Sequence, residues 1–352
     1  MGRPAWAVWC LRGTASREPD HAAAPELFAW ALVGVGRLEE AASIYRGLMA
    51  ETPSSPALAL IAWQFGSVLL RLERPADALG VFDAGIDALP HSANLHFNRG
   101  YALRWLGRAA ESADAYQRAI RHDPTLQEGY SALVDLFTDL AKWEELNEVA
   151  GQWHRIQPSA RAAHAMGTSR MMLGRFEDAV TVLEEARRLD PASPDIVSDL
   201  AGALDESGQS SSAEQILRDA IRQQPAASVL QVGLAHVLGE AGRAAEAIEA
   251  AETAIRLDPE RGDAHAVLGS VLLATDAERA RQAFEEALRR APGMLEWQAN
   301  LGAALSLAGR HTEALKVFDD VTQADPRFFQ TLRGEFWLTY LQDSRRLAGR
   351  ST

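Results

Sequence analysis

A chain of 352 residues, 47% hydrophobic and 24% charged, has the composition of a soluble protein with a large buried core. Its formal net charge of -13 at pH 7 argues against a general nucleic-acid binder, because phosphate affinity needs a basic face. The single cysteine, Cys10, excludes an internal disulfide and a multi-thiolate metal site, and no apolar run approaches the roughly 20 residues of a membrane-spanning helix.

Residues 1–21 read as an N-terminal segment of their own. Arg3, the apolar stretch Ala5 to Leu11 and the small residues that follow have the order of an export signal. That stretch sits at the bottom of the length range for such a signal and contains Trp6 and Trp9, so an amphipathic cap is preferred and export is the alternative. Bulky Val8 and Trp9 before Cys10 exclude a lipoprotein signal, and Trp6 stands where a myristoylation site needs Ser or Thr. A lone cysteine fits a reducing cytoplasm, the expected compartment.

From there the chain is periodic. Prolines stand at Pro53, Pro90, Pro124, Pro158, Pro191, Pro225, Pro259, Pro292 and Pro326, at intervals of 37, 34, 34, 33, 34, 34, 33 and 34. Seventeen residues before most of them is a glycine (Gly36, Gly107, Gly174, Gly208, Gly242, Gly309), followed by Arg in every case but Gly208. Small residues recur after that glycine (Ala41, Ala78, Ser112, Ala179, Ala213, Ala247, Ala280, Ala314), and aromatics one turn later (Tyr45, Phe82, Tyr116, Phe284, Phe318). A further small residue recurs before it, as Gly66, Gly100, Gly167, Gly269 and Gly302. Glycine ends one helix by taking a positive φ, proline ends the next, and small residues let the two helices approach beside the aromatic. No stretch shows the sustained alternation of a β-strand.

The pattern resembles the tetratricopeptide repeat over about seven-eighths of the chain, from roughly Ala22 to Phe328. The resemblance implies an all-α, right-handed solenoid of about nine helix-turn-helix repeats with a C-terminal capping helix. The repeats fall near 22–55, 59–92, 93–126, 127–159, 160–193, 194–227, 228–261, 262–294 and 295–328. The 37-residue interval inserts the Pro53–Pro56 loop, a soft joint. In the fourth repeat Ala141 replaces the glycine, Leu146 the small residue and Ala150 the aromatic, while Trp153 takes a later small position. Large and small have traded places, which keeps the core volume constant. Residues 329–352 read as the capping helix and a basic tail, with Phe329, Leu332, Phe336 and Tyr340 at helical spacing.

Motifs of chemistry are missing. Gly34-Val35-Gly36 sits on a repeat turn with no strand before it, and there is no P-loop, HExxH or G-x-S-x-G. His91 and His96 have no carboxylate or thiolate at ligand spacing, so neither a metal nor a cofactor is expected, and the chain reads as non-catalytic.

The resemblance implies that first helices line a concave groove. In 94–106, His96, Gly100 and Leu103 face the second helix, and the opposite stripe holds Asn94, Phe97, Asn98, Tyr101, Arg104 and Trp105. The same register gives Glu26 and Trp30 in the first repeat and Trp63, Gln64 and Arg71 in the second. Aromatics and Arg without a core role are what binding surfaces enrich, although such rings also pack between neighbouring first helices. Further on the stripe is acidic, with Asp135, Asp139, Asp195, Asp199, Asp205, Glu206 and Glu240; it is either the solvated face of an acidic protein or a track for a basic segment.

The carboxylate clamp of chaperone-binding repeats needs Lys and Asn on successive first helices, and no lysine lines this end. An asparagine ladder would need Asn in most repeats, and only Asn98 and Asn300 qualify. The expected function is a scaffold or adaptor that binds a protein or peptide segment bearing apolar anchors and Arg or Lys. The alternatives are an accessory subunit presenting substrates to a separate glycosyl- or sulfotransferase, and a peptide-sensing regulator.

Overall fold

The computed structural model describes residues 23–52, 56–330 and 335–348, and all regular structure among them is helical. The N-terminal segment with Cys10, most of the Pro53–Pro56 loop, Leu332 and the end of the basic tail lie outside the described residues. The chain divides into two compact units, Met1–Pro158 and Ser159–Thr352.

The first unit contains α1 (Ala23–Gly34), α2 (Leu38–Glu51), α3 (Pro56–Arg71), α4 (Pro75–Ala88), α5 (Ala93–Trp105), α6 (Ala109–His122), α7 (Gln127–Asp139) and α8 (Trp143–Ile156). The second contains α9 (Ala160–Met172), α10 (Phe176–Leu189), α11 (Pro194–Glu206), α12 (Ser210–Gln223), α13 (Ser228–Glu240), α14 (Ala244–Leu257), α15 (Gly262–Leu272), α16 (Ala277–Arg290), α17 (Leu295–Leu307), α18 (His311–Ala324) and α19 (Glu335–Ala348), with a 3-10 turn at Phe328–Gln330. Within each unit an odd-numbered helix pairs with the even one after it, and that even helix packs on the next odd one. Both units are therefore stacks of helical hairpins, the all-α solenoid class that the spacing predicts.

The Gly-Arg turn shows why these residues recur. Gly107 has φ +73°, its N–H donates to the Arg104 carbonyl at 3.0 Å, and the Arg108 N–H donates to the Leu103 carbonyl at 2.9 Å. The chain thus reverses while two carbonyls at the end of α5 stay satisfied. The Arg108 side chain then pairs with Glu111 in the first turn of α6 at 2.7 Å, and Arg37–Glu40, Arg243–Glu246 and Arg310–Glu313 repeat the arrangement. These pairs are exposed and screened by solvent, so each contributes little to stability.

Two repeats lack the glycine yet keep the geometry: Glu73 (φ 58°) and Ala141 (φ 52°) occupy the left-handed region. A side chain is unfavourable there, so Ala141→Gly should stabilise the first unit by about 1 kcal/mol, read from a urea midpoint. The turn before α16 solves the problem differently. Helix α15 is shorter, with 11 residues where α17 has 13, the connection runs from Leu273 to Asp276, and the Asp276 carboxylate accepts the Arg279 N–H at 3.0 Å as a helix cap.

The small residues mark contacts between helices that leave no space. A Cβ on Gly66 would lie 2.3 Å from the Phe82 ring, and one on Gly167 2.4 Å from Leu183. In the fourth hairpin the aromatic arrives one turn late: Trp153 of α8 is buried and stacks on Tyr130 of α7, with ring centroids 6.1 Å apart.

The capping helix α19 packs on α17 and α18, with Phe329 and Tyr340 against their core as expected and Phe336 turned to solvent instead. Phe329, Trp337, Leu341 and Ser344 are buried, whereas Phe336 is exposed and Tyr340 half-buried. Polar partners select this rotation. The Trp337 indole N–H donates to Asn300 Oδ1 at 2.8 Å, and the Ser344 hydroxyl lies 2.9 Å from that of Ser306. Deleting Phe328–Thr352 should uncover the Ala299, Ala303, Phe318 and Val321 cluster and cause aggregation measurable by light scattering. A truncated chain that stays monomeric and equally soluble would make this segment a mere tail.

Candidate functional site

Four of the expected rings stand in solvent. Trp30 on α1 is 64% exposed, Trp63 on α3 39%, and Tyr101 and Trp105 on α5 each 48%. Apolar residues scattered singly over a surface are ordinary, whereas a cluster of exposed rings marks a contact surface. Tyr101 and Trp105 meet edge to face, centroids 6.2 Å apart, and with Arg104 they line a depression in the surface. The helix periodicity puts them there: Leu95, His96, Gly100 and Leu103 occupy the buried stripe of α5, and Tyr101 and Trp105 fall outside it. Helix α3 lies against α5, so Trp63 and Tyr101 are carried by touching helices.

Exposed Leu27 precedes Trp30 by one turn, and exposed Leu60 precedes Trp63 in the same way. Sequence reasoning passed over both leucines. The i, i+3 spacing to each tryptophan was the available signal, and it widens the apolar strip on α1 and α3.

Other expected residues are engaged inside the fold. Phe97 is half-buried with its ring 5.5 Å from that of Tyr116 on α6. The Asn98 amide donates to the Asn94 carbonyl at 2.8 Å, within its own helix. Arg104 pairs with Asp139 at 2.5 Å, tying α5 to α7. Arg71 is exposed in the last turn of α3, and Asp135 is half-buried on α7.

The remaining carboxylates belong to the second unit. Asp199 on α11 lies 2.8 Å from His164 Nε2 and accepts the Thr168 hydroxyl at 3.1 Å, both from α9. Asp195 and Glu206 are exposed at the two ends of α11, and Asp205 is half-buried; none of the three has an ion pair among the described residues. Asp205 and Glu206 lie in the last turn of α11, and Glu240 ends α13. A carboxylate there faces the negative end of the helix dipole, which typically costs 0.3–1 kcal/mol. Among the described residues no group of three His, Cys, Asp or Glu side chains is arranged to hold a metal ion, and no helix is long and apolar enough to cross a membrane.

Two family models, both of the tetratricopeptide repeat, match the chain: one at residues 170–235 and 272–332, the other at 64–126 and 232–277. Among solved structures, a tetratricopeptide repeat protein from Parabacteroides merdae superposes with a TM-score of 0.61 at 17% identity, over 71% of this chain and 99% of that one. Yeast Tom70 superposes with a TM-score of 0.57 at 14% identity, over 96% of this chain and 84% of that one. At these identities the likeness is one of fold. No curated protein matches the sequence.

Proposed function

Because the chain belongs to the tetratricopeptide repeat family, we propose that it is a non-catalytic adaptor that captures a protein segment on the exposed aromatic strip of α1, α3 and α5. The observation that carries this reading is the exposure of Trp30, Trp63, Tyr101 and Trp105 outside the buried stripes of their helices. Rings of this kind anchor partners in desolvated contacts, with Arg among them. The bound segment would present apolar anchors to these rings, flanked by Arg or Lys. On the second unit, Asp195, Asp205 and Glu206 would attract Arg or Lys of a bound protein and raise its association rate. In this reading the compartment is the cytoplasm, and nine repeats span residues 22–328.

The test is capture on immobilised protein, with bound proteins identified by mass spectrometry and compared between the wild type and Trp63→Ala/Tyr101→Ala. A partner held by the wild type and lost from the variant supports the strip. Identical capture by both would remove it as the binding face.

A further inference from the structure

Three imidazoles from three stretches of sequence meet at one end of the α5–α6 hairpin. His91 lies in the α4–α5 connection, His96 in the first turn of α5, and His122 is the last residue of α6. The His122 ring stands 5.1 Å from His91, edge to face, and 5.2 Å from His96 in a stack inclined by 24°. His96 is 4% exposed, and its Nε2 lies 2.8 Å from the Pro90 carbonyl. A carbonyl can only accept, so Nε2 carries a hydrogen and donates it. His96 Nδ1 is then buried with no hydrogen-bond partner. A proton there would create a buried cation with no acceptor, beside a second imidazole.

The surrounding charges give no relief. Arg118 and Arg121 on α6 act on His122 with the same sign as His91 and His96 do when protonated. Asp123, the next residue, turns its carboxylate to the Thr125 backbone N–H (2.9 Å) and hydroxyl (2.7 Å). Asp87 on α4 and Glu128 on α7 are exposed and make no hydrogen bond or ion pair with the three rings. Desolvation first, although much of the ring still meets solvent, and then these positive neighbours hold the His122 pKa below the usual histidine value of 6.5. The sign follows. The unfolded chain takes up this proton more readily than the folded one, so the group's contribution to stability is present above about pH 6.5 and is lost as the pH falls below it.

We propose that the His91–His96–His122 stack is an acid-sensitive latch that keeps the α5–α6 hairpin closed at neutral pH and loosens it when the imidazoles become charged. Because α5 also carries Tyr101 and Trp105, opening the latch would disturb the aromatic strip; that consequence rests on the binding reading above, whereas the latch does not.

Hydrogen exchange of the full chain, without any partner and in EDTA, tests the latch at pH 7.5 and 5.5 after correction for intrinsic exchange. The reference is the α1–α2 hairpin, which has no histidine between Ala23 and Glu51. Protection of α5–α6 amides should fall by about tenfold more than that of α1–α2 on acidification. In His91→Gln/His122→Gln, whose two sites are exposed and tolerant of change, the excess loss should shrink, with His96 alone remaining. Equal protection at both pH values in the wild type, or the same loss in the variant, would overturn the latch. Neither result would bear on whether the aromatic strip binds a partner.

Discussion

Replacing Ala287 or Ala254 by tryptophan should lower the stability of the second unit by roughly 1–3 kcal/mol or more. Both alanines are fully buried on second helices, Ala254 on α14 and Ala287 on α16. At Ala287 there is no slack to absorb an indole. A Cβ added to neighbouring Gly262 would stand 3.3 Å from the Ala287 carbonyl and 3.1 Å from the Trp297 ring. The new ring would have to push α15 or α17 away, and a hairpin stack transmits such damage to its neighbours first. Exchange protection should therefore fall nearest the substitution before the global melt moves. Arg256→Trp, on the exposed side of α14, should stay within about 0.5 kcal/mol. An unchanged melting curve for both alanine variants would contradict the repeat register.

The second large effect concerns binding. Removing the Trp63 and Tyr101 rings together should weaken capture of the partner beyond detection, since anchors of this kind contribute about 2 kcal/mol or more each. The fold should survive the change, because both rings stand in solvent and neither closes a core contact. That separates them from Phe97, whose ring rests on Tyr116; a Phe97→Ala variant would confound binding with stability. Circular dichroism and the urea midpoint of the double variant should match those of the wild type.

Much of this fold is written in local chemistry. Gly107 and Arg108 specify a turn, Asp123-Pro124 ends a helix, and Gly66 opposite Phe82 reports a close approach of two helices. Where the chain departs from that spelling, neighbouring residues decide. Ala141 adopts a positive φ because the hairpin around it demands the reversal, and Trp153 fills from one turn away the space that Ala150 leaves. Phe336 departs for a similar reason. It has the helical spacing of an apolar stripe on α19, yet it faces solvent, while its neighbour Trp337 donates to Asn300 and Ser344 to Ser306.

The site was legible where helix period alone sets exposure, as for Trp30, Trp63, Tyr101 and Trp105. It was illegible where a carboxylate found a partner some 31–35 residues away. Arg104 takes Asp139, and His164 with Thr168 takes Asp199. One sequence window shows neither pairing. The histidine cluster escaped for the same reason, since His122 lies far along the chain from His91 and His96 until α6 returns beside α5.

The most direct test of the adaptor reading is the affinity of the captured partner for three proteins at low and high salt. These are the wild type, Trp63→Ala/Tyr101→Ala, and Asp195→Asn/Asp205→Asn, with Asp199 left intact because its carboxylate serves the fold. The ring variant should fail at both salt concentrations. The carboxylate variant should be weaker at low salt and approach the wild type at high salt, where exposed charges are screened. Wild-type affinity in both variants, with binding abolished instead by changes on the second helices, would contradict the account.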